Sequence, residues 1–426
     1  MSVDYRLYWI WMQTALGAGC PQTGVLLRRF CSARAVFEAT EEELRPCGLS
    51  AAQQKRLLDK ELRAARQCLY ETLRTGGWVL TPEDARFPSQ LRGIYAMPLV
   101  LYGRGWMPDM ETIPSVTIVG TRRSSAYGMR MAEELSAGLA AGGLCVVSGG
   151  AVGIDSAALW AALSQGGATV CLQGCGLDVN YPAENETMRR AVAQTGAVLT
   201  EFPPGTPALR QNFPIRNRLL SGLTQGTCVV EAPAGSGALI TARYALEQGR
   251  DVFAVPGAAH MPNMAGCNDL IRDGAHLVRC AADVMEEYRP RFGERLHFDA
   301  AAAVGKAVNK ANGIDGAKKP AVLRVADSRM PEKAPEKQRK KPAKAPQSPP
   351  PSPAKEEKPA PVPAACPDYV SAAARQTYEV LTQQPQPLDD IAARLSLPTN
   401  RVLAALTELE IAGCAAGDAG GRYRLK

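Results

Sequence analysis

Residues Ser115 to Asp155 read SVTIVGTRRSSAYGMRMAEELSAGLAAGGLCVVSGGAVGID, and this stretch decides the fold. A β-branched run, Val116–Val119, precedes a polar turn bounded by glycine, and an Ala/Leu-rich segment with helical spacing, Met129–Ala141, follows. A second apolar run, Leu144–Val147, ends in Ser-Gly-Gly and leads into another helical segment from Ile154 to Leu163. Strand, loop, helix, strand at this spacing predicts a parallel sheet with helices on both faces. The alternation continues through strands at Thr169–Leu172, Val198–Leu199, Cys228–Val230 and Val252–Val255, with helices at Glu184–Gln194, Arg216–Leu223 and Ala238–Gln248 between them. The expected fold class is α/β, a doubly wound parallel sheet over residues 80–298. In such folds ligands sit in the loops at the carboxyl ends of the strands.

Working outward, residues 1–75 are rich in Leu, Ala, Arg and Glu and read as a helical domain. Leu16-Gly17-Ala18-Gly19 and Pro46-Cys47-Gly48-Leu49 each lead into a helical pattern, as in helix-hairpin-helix modules. Residues 301–367 contain no aromatic residue and hold 13 of the 32 prolines, so they are expected to form a disordered basic linker. Residues 368–426 regain a pattern: Tyr369–Leu381, Leu388–Arg394 and Thr399–Ile411 as helices, then Gly420-Gly421-Arg422-Tyr423 as a wing, which is the order of a winged helix.

The 426 residues carry 49 Lys and Arg against 42 Asp and Glu, a net charge of +7. The linker alone holds 14 basic and 6 acidic residues, so its +8 leaves the rest of the chain near −1. Binding of an anionic polymer by the folded part must therefore rest on local sites. Twelve cysteines lie scattered with no CxxC pair; Cys171 and Cys175 are the nearest, and His260, His276 and His297 have no metal spacing. We expect reduced cysteines, a cytoplasmic protein, no metal and no cofactor. Asp4 and Arg6 argue against a signal peptide. The uncharged runs from Glu134 to Asp155 and from Asp155 to Asp178 are broken by Gly-Gly pairs, so they read as buried sheet units and not as membrane spans.

Four loops carry the chemistry. Gly120-Thr-Arg-Arg-Ser-Ser-Ala-Tyr-Gly128 offers helix-start N–H groups beside Arg122 and Arg123, which suits an oxyanion. Ser148-Gly149-Gly150-Ala151-Val152-Gly153-Ile154-Asp155 permits close backbone approach. Arg210-Gln-Asn-Phe-Pro-Ile-Arg-Asn-Arg218 places Arg210, Arg216, Asn217 and Arg218 around Phe213, a guanidinium set for phosphates with a ring for a base. Glu231-Ala-Pro-Ala-Gly-Ser-Gly-Ala-Leu-Ile-Thr241 opens a helix with Gly235, Ser236 and Gly237, and Thr241 follows. Each loop alone is also an ordinary structural turn; their convergence on one sheet edge favours a shared anionic ligand.

These residues carry a resemblance. GTRRSSAYG, SGGAVGID, GCGLDVNYPAEN, FPIRNRLLSGL, EAPAGSGALITA, GRDVFAVPG and GCNDLIRDGA together resemble the DNA-processing protein A (DprA/Smf) family over about 115–280. The resemblance implies an extended Rossmann-like fold that binds single-stranded DNA, forms a homodimer and loads a RecA-type recombinase on strands imported in natural transformation. It implies DNA contacts from Arg122, Arg216 and Arg218 and no catalysis. Self-association is expected through the late sheet edge near Leu270 and Ile271. Two positions depart from the family pattern: Val152 stands where the family has Arg, and Leu159 where it has His. A rival of another class is a nucleotide-processing phosphoribohydrolase, whose PGGxGTxxE loop corresponds to Pro233–Thr241, with Thr241 at the catalytic Glu position. A third reading is a scaffold that binds through its basic linker. The winged helix is expected to read duplex DNA poorly, because Thr399–Ile411 offers Asn400 and Arg401 but also Glu408 and Glu410.

Overall fold

In the computed structural model the described residues are 3–311, 371–395, 397, 399–411, 414–417 and 422–425. They fall into two units, Met1–Val325 and Ala326–Lys426.

The first unit begins with six helices: α1 (Arg6–Leu16), α2 (Thr23–Phe30), α3 (Ala33–Glu38), α4 (Glu41–Leu44), α5 (Ala51–Leu58) and α6 (Arg63–Arg74). Capping residues set several of their starts. Thr40 with Glu43 and Ser50 with Gln53 form reciprocal capping boxes at α4 and α5, and Ser32 caps α3. The chain then makes β1 (Trp78–Leu80) and β2 (Leu101–Gly105), an antiparallel pair that joins the main sheet.

The remaining order is β3 (Ser115–Val119), α7 (Ala126–Ala141), β4 (Cys145–Ser148), α8 (Ile154–Ser164), β5 (Thr169–Leu172), α9 (Glu186–Thr195) and β6 (Ala197–Thr200). Then come α10 (Asn212–Leu223), β7 (Gly226–Val229), α11 (Gly237–Glu247), β8 (Asp251–Ala254), α12 (Ala265–Arg272), β9 (His276–Leu277), α13 (Ala281–Phe292) and α14 (Phe298–Ala311). The nine strands run in the order β1-β2-β6-β5-β4-β3-β7-β8-β9, parallel from β6 to β9. Every residue of β3 to β7 is buried, the mark of a sheet covered on both faces. The order reverses at β3, with β4, β5 and β6 on one side and β7, β8 and β9 on the other. The crevice that this reversal opens lies at the carboxyl ends of β3 and β7.

Two boundaries differ from the expected ones. The helical domain expected over 1–75 is not separate: its core includes Val79, Leu99, Val100 and Tyr102 of the β1–β2 segment. The Gln13 side chain of α1 accepts from the Leu99 and Val100 amides at 3.2 and 2.9 Å and donates to the Glu201 carbonyl. A cut at residue 80 would thus open both a shared core and a buried polar contact. At the other end, helix α14 runs to Ala311, so residues 301–311 are not part of a disordered linker. Small residues allow this: Ala301 is buried as α14 packs on α7, beside Gly138. The rest of the expected linker, 312–367, lies outside the described residues.

The second unit has α15 (Ala372–Val380), β10 (Gln386–Pro387), α16 (Leu388–Leu395), α17 (Thr399–Ile411), β11 (Ala415–Gly417) and β12 (Arg422–Leu425), with a small antiparallel sheet ordered β10-β12-β11. Its core takes Val402, Leu406 and Leu409 from α17 as expected, but Leu403 faces outward and Ala405 replaces it. Positions 402, 405, 406 and 409 share one helical face; 403 does not. Both glutamates of α17 have structural partners. Glu408 accepts from the Ser371 amide and hydroxyl at 2.7 and 2.6 Å, and Glu410 accepts from the Gly417 amide at 2.6 Å. Of the expected wing, Gly420 and Gly421 lie outside the described residues, while Arg422 and Tyr423 open β12. No helix among the described residues is long and apolar enough to cross a membrane.

Candidate nucleic-acid interface

A groove of about 750 Å³ lies over the crevice between β3 and β7. Its walls come from the loops after β3, β4 and β7 and from one face of α10. Phe213, Arg216, Asn217 and Leu220 occupy positions i, i+3, i+4 and i+7 of that helix and all line the groove. Arg122 and Arg123 stand on the β3 loop, Arg210 just before α10, and Gly235, Ser236, Gly237 and Thr241 at the start of α11. The groove thus gathers ten of the thirteen expected DNA-binding residues. Four arginines face one carboxylate, Asp155, so the local potential is positive although the folded part of the chain is nearly neutral.

Within this set the arginines differ. Arg122, Arg123 and Arg210 are exposed. Arg216 is only 4% exposed and forms part of the floor, where its Nη1 donates to the Leu172 carbonyl at 2.6 Å. Burial pushes the Arg216 pKa down and that of buried Asp155 up, and each group's charge opposes the shift of the other. Gly149 lets the guanidinium in: a Cβ there would come within 2.1 Å of Nη1. Phe213 is half-buried, with the Arg122 guanidinium 5.2 Å from its ring centre and the Tyr181 ring at 5.6 Å. Asn217 donates to the Gly237 carbonyl at 3.4 Å.

Several expected contacts are not in the groove. Arg218 is 3% exposed and points the other way, to a buried salt bridge with Glu201, whose other oxygen accepts the Gly19 amide at 3.3 Å. The first inter-helix turn therefore gives its amide to a carboxylate of the same chain. Ser148 is fully buried and donates to the Ile118 carbonyl at 2.7 Å, because alternate residues of a central strand face the helix layers. Gly149 lines a narrow space beside the groove, against Arg216 and Phe213.

The start of α7 is also taken internally. The buried Glu231 carboxylate accepts from the Ser125 amide at 3.0 and 3.1 Å and from its hydroxyl at 2.9 Å, so this helix N-terminus already holds an anion. Gly128 is required for that contact, since a Cβ there would lie 1.7 Å from Glu231 Oε2. Gly128→Ala is expected to expel Glu231 and to lower the unfolding midpoint in urea by an amount equivalent to roughly 1–3 kcal/mol. A midpoint equal to the wild type would show that the carboxylate does not hold this turn.

Tyr181 was not among the expected site residues. It lies in the loop after β5, 36% exposed, and lines the groove beside Phe213. Its sequence signal is the Tyr-Pro pair within GCGLDVNYPAEN, an aromatic before a proline in a strand-to-helix loop. At the two departures from the family pattern, Val152 is 37% exposed and adds no charge, while Leu159 is fully buried with Cys171, Met188, Val192 and Val198. Thr241 is buried in the groove wall and has no acid function, and Asp155 is the only carboxylate among the groove's lining residues. No cluster of metal-ligating side chains occurs among the described residues.

Residues 78–289 match the family model of DNA recombination-mediator protein A, and 343–421 that of the DprA winged helix domain. The chain is 42% identical over 205 residues to the DNA processing protein DprA of Streptococcus pneumoniae, which covers 48% of this chain and 72% of that protein. The chain belongs to this family. It is also 36% identical over 290 residues to Protein Smf of Synechocystis, 65% of this chain and 71% of that one. The X-ray structure of DNA processing protein A from Streptococcus pneumoniae superposes with a TM-score of 0.59 at 33% identity, covering 67% of this chain and 99% of that one. The family assignment accounts for the α/β fold with its winged helix and for DNA as the class of ligand. Leu270 and Ile271, expected at the last sheet edge, lie instead on α12 and pack half-buried against the main core; the edge strand is β9, where His276 and Leu277 are exposed.

Proposed function

We propose that this chain is a non-catalytic, cytoplasmic protein that holds single-stranded DNA in the groove and presents it to a RecA-type recombinase during transformation. The observation that carries the reading is the groove itself. Three exposed arginines and the α11 N-terminus surround two aromatic rings within one open channel. Arg122, Arg123 and Arg210 neutralise phosphates, while the Gly235 and Gly237 amides and the Ser236 hydroxyl add donors. Phe213 and Tyr181 offer faces to unstacked bases. Arg216 orients the floor and Arg218 takes no part. A duplex keeps its bases stacked inside, so it gains only the phosphate contacts. The decisive experiment is a salt titration of the full chain with single- and double-stranded oligonucleotides of equal length. Equal affinity for both would overturn the reading.

The second unit contributes little to strand affinity in this reading, since Glu408 and Glu410 sit on α17 and repel phosphate. Removing residues 368–426 is expected to leave single-strand affinity within about threefold, because the main phosphate contacts lie elsewhere. Submicromolar duplex binding by the full chain that vanishes with this deletion would refute it.

We further infer self-association along β9, whose exposed backbone edge can pair with a second copy. Leu277 is 45% exposed there. Leu277→Glu is expected to give a folded monomer by light scattering, whereas Leu270→Glu, placed against the core, is expected to impair folding. A Leu277→Glu protein with the wild-type mass in solution would remove the idea.

A further inference from the structure

Past the narrow space that Gly149 lines, a cleft of about 320 Å³ lies between the end of α6, strand β2 and helix α9. It adjoins a hollow of about 270 Å³ with which it shares Thr75, Leu177 and Asp178. We propose that this cleft is a second binding site, for a small molecule of mononucleotide size that carries a phosphate monoester.

The charges in the cleft support this assignment. Its carboxylates are already committed: Asp178 accepts the Gly205 amide through both oxygens at 2.9 Å, and Glu186 accepts from Arg190 and from Asn180 Nδ2. In the adjoining hollow Glu71 is paired with Arg74 at 2.7 Å. Two arginines remain without a carboxylate partner among the described residues. Arg189 is only 8% exposed and donates to neutral acceptors, the Pro182 carbonyl at 2.9 Å and Asn180 Oδ1. Arg104 reaches only the Thr75 carbonyl, at 3.4 Å, and its buried Nε has no partner among the described residues. Burial pushes the Arg189 pKa down, and the Glu186 charge offsets that only in part. Two guanidiniums with spare donors suit an oxyanion, which a planar fork holds bidentately. Leu177 and Val198 give the cleft an apolar wall for a flat ring, and the volume suits a small ligand.

A continuing DNA strand is the less suitable occupant. Between cleft and groove lies a space of only about 10 Å³, which shares Tyr181, Phe213 and Arg216 with the groove and Gln173 and Arg189 with the cleft. A space of that size holds no nucleotide of a continuing strand, whereas the cleft itself has room for a free one.

The test is the thermal midpoint of the full chain with millimolar dTMP, thymidine, inorganic phosphate or a single-stranded oligonucleotide. Preferential binding of dTMP to the folded state is expected to raise the midpoint by about 2 °C or more, and thymidine by nothing measurable. The dTMP shift is expected to persist in Arg210→Ala and to disappear in Arg104→Gln, which keeps its affinity for the oligonucleotide. If Arg104→Gln proves unstable, Arg104→Lys, which keeps the charge but loses the fork, is expected to cut the shift by at least half. A shift as large with inorganic phosphate supports the oxyanion contact but overturns the mononucleotide size. A dTMP shift absent from the wild type, or kept in Arg104→Gln and lost in Arg210→Ala, overturns the site. None of these outcomes depends on whether the groove holds DNA, which the oligonucleotide arm reads separately.

Discussion

Arg218→Ala is expected to destabilise the first unit by roughly 3–5 kcal/mol, the usual consequence of leaving one partner of a buried ion pair uncompensated. Arg218 and Glu201 are 3% and 2% exposed, and Glu201 also receives the Gly19 amide, so the pair ties α10 to the first turn of the helical region. Burial already raises the Glu201 pKa from its ordinary 4.5, with Arg218 opposing. Without Arg218 that pKa rises further. Below about 4.5 the carboxyl is protonated in both the folded and unfolded chain and carries no penalty. As pH rises toward the elevated folded value, only the unfolded chain loses its proton, and stability falls. The defect of Arg218→Ala is therefore expected to be smaller at pH 4.5 than at pH 7, as read from urea midpoints. A defect of equal size at both values would show that Glu201 is not the group left uncompensated. Single-strand affinity of the folded fraction should be unchanged, which separates this arginine from those in the groove.

The converse variant is Arg122→Ala/Arg123→Ala/Arg210→Ala. Its three side chains are exposed, so the fold is expected to survive with its midpoint within about 0.5 kcal/mol of the wild type. Removing one phosphate-binding guanidinium should lower the slope of log affinity against log salt by about 0.7, hence by about 2 for the triple change. With roughly 1 kcal/mol for each exposed charged interaction, affinity for single strands at moderate salt should fall by on the order of a hundredfold. The effect should be the same for every sequence tested, since phosphate contacts do not read bases. An unaltered salt slope would mean that the strand binds elsewhere on the chain, the basic linker being the obvious place to look.

Much of the fold was legible in the residues. Thr169–Leu172 and Thr399–Ile411 end where the pattern places them, and the other strands and helices of the sheet shift by only a few residues. Strong periodicity and glycine-bounded loops carry that information without reference to distant parts of the chain. The strands β1 and β2 were not legible. β1 is three residues long, and both owe their pairing to partners far along the chain, Tyr102 with Val79 and Thr200. The shared core of the helical region and these strands was hidden for the same reason, and so was α14, whose Ala301 is buried only by packing on α7.

At the groove, residue type and loop order alone brought Arg122, Arg210, Phe213, Asn217 and Ser236 to one sheet edge, because strands of a parallel sheet must all end on the same side. The sequence also limits what the two arginines of FPIRNR can do together. Residues two apart on a helix point about 200° apart, so Arg216 and Arg218 cannot both face one ligand. Which of them turns toward the groove was a tertiary decision. It was made by Glu201, a buried acid at the end of β6 that takes Arg218 on the far side and leaves Arg216 facing Asp155 on the groove floor. A charge this deeply buried is costly unless an opposite charge or hydrogen bonds meet it, and Glu201 is the charge that meets Arg218. Glu201, just after β6, and Asp155, in the first turn of α8, meet α10 only in the folded chain.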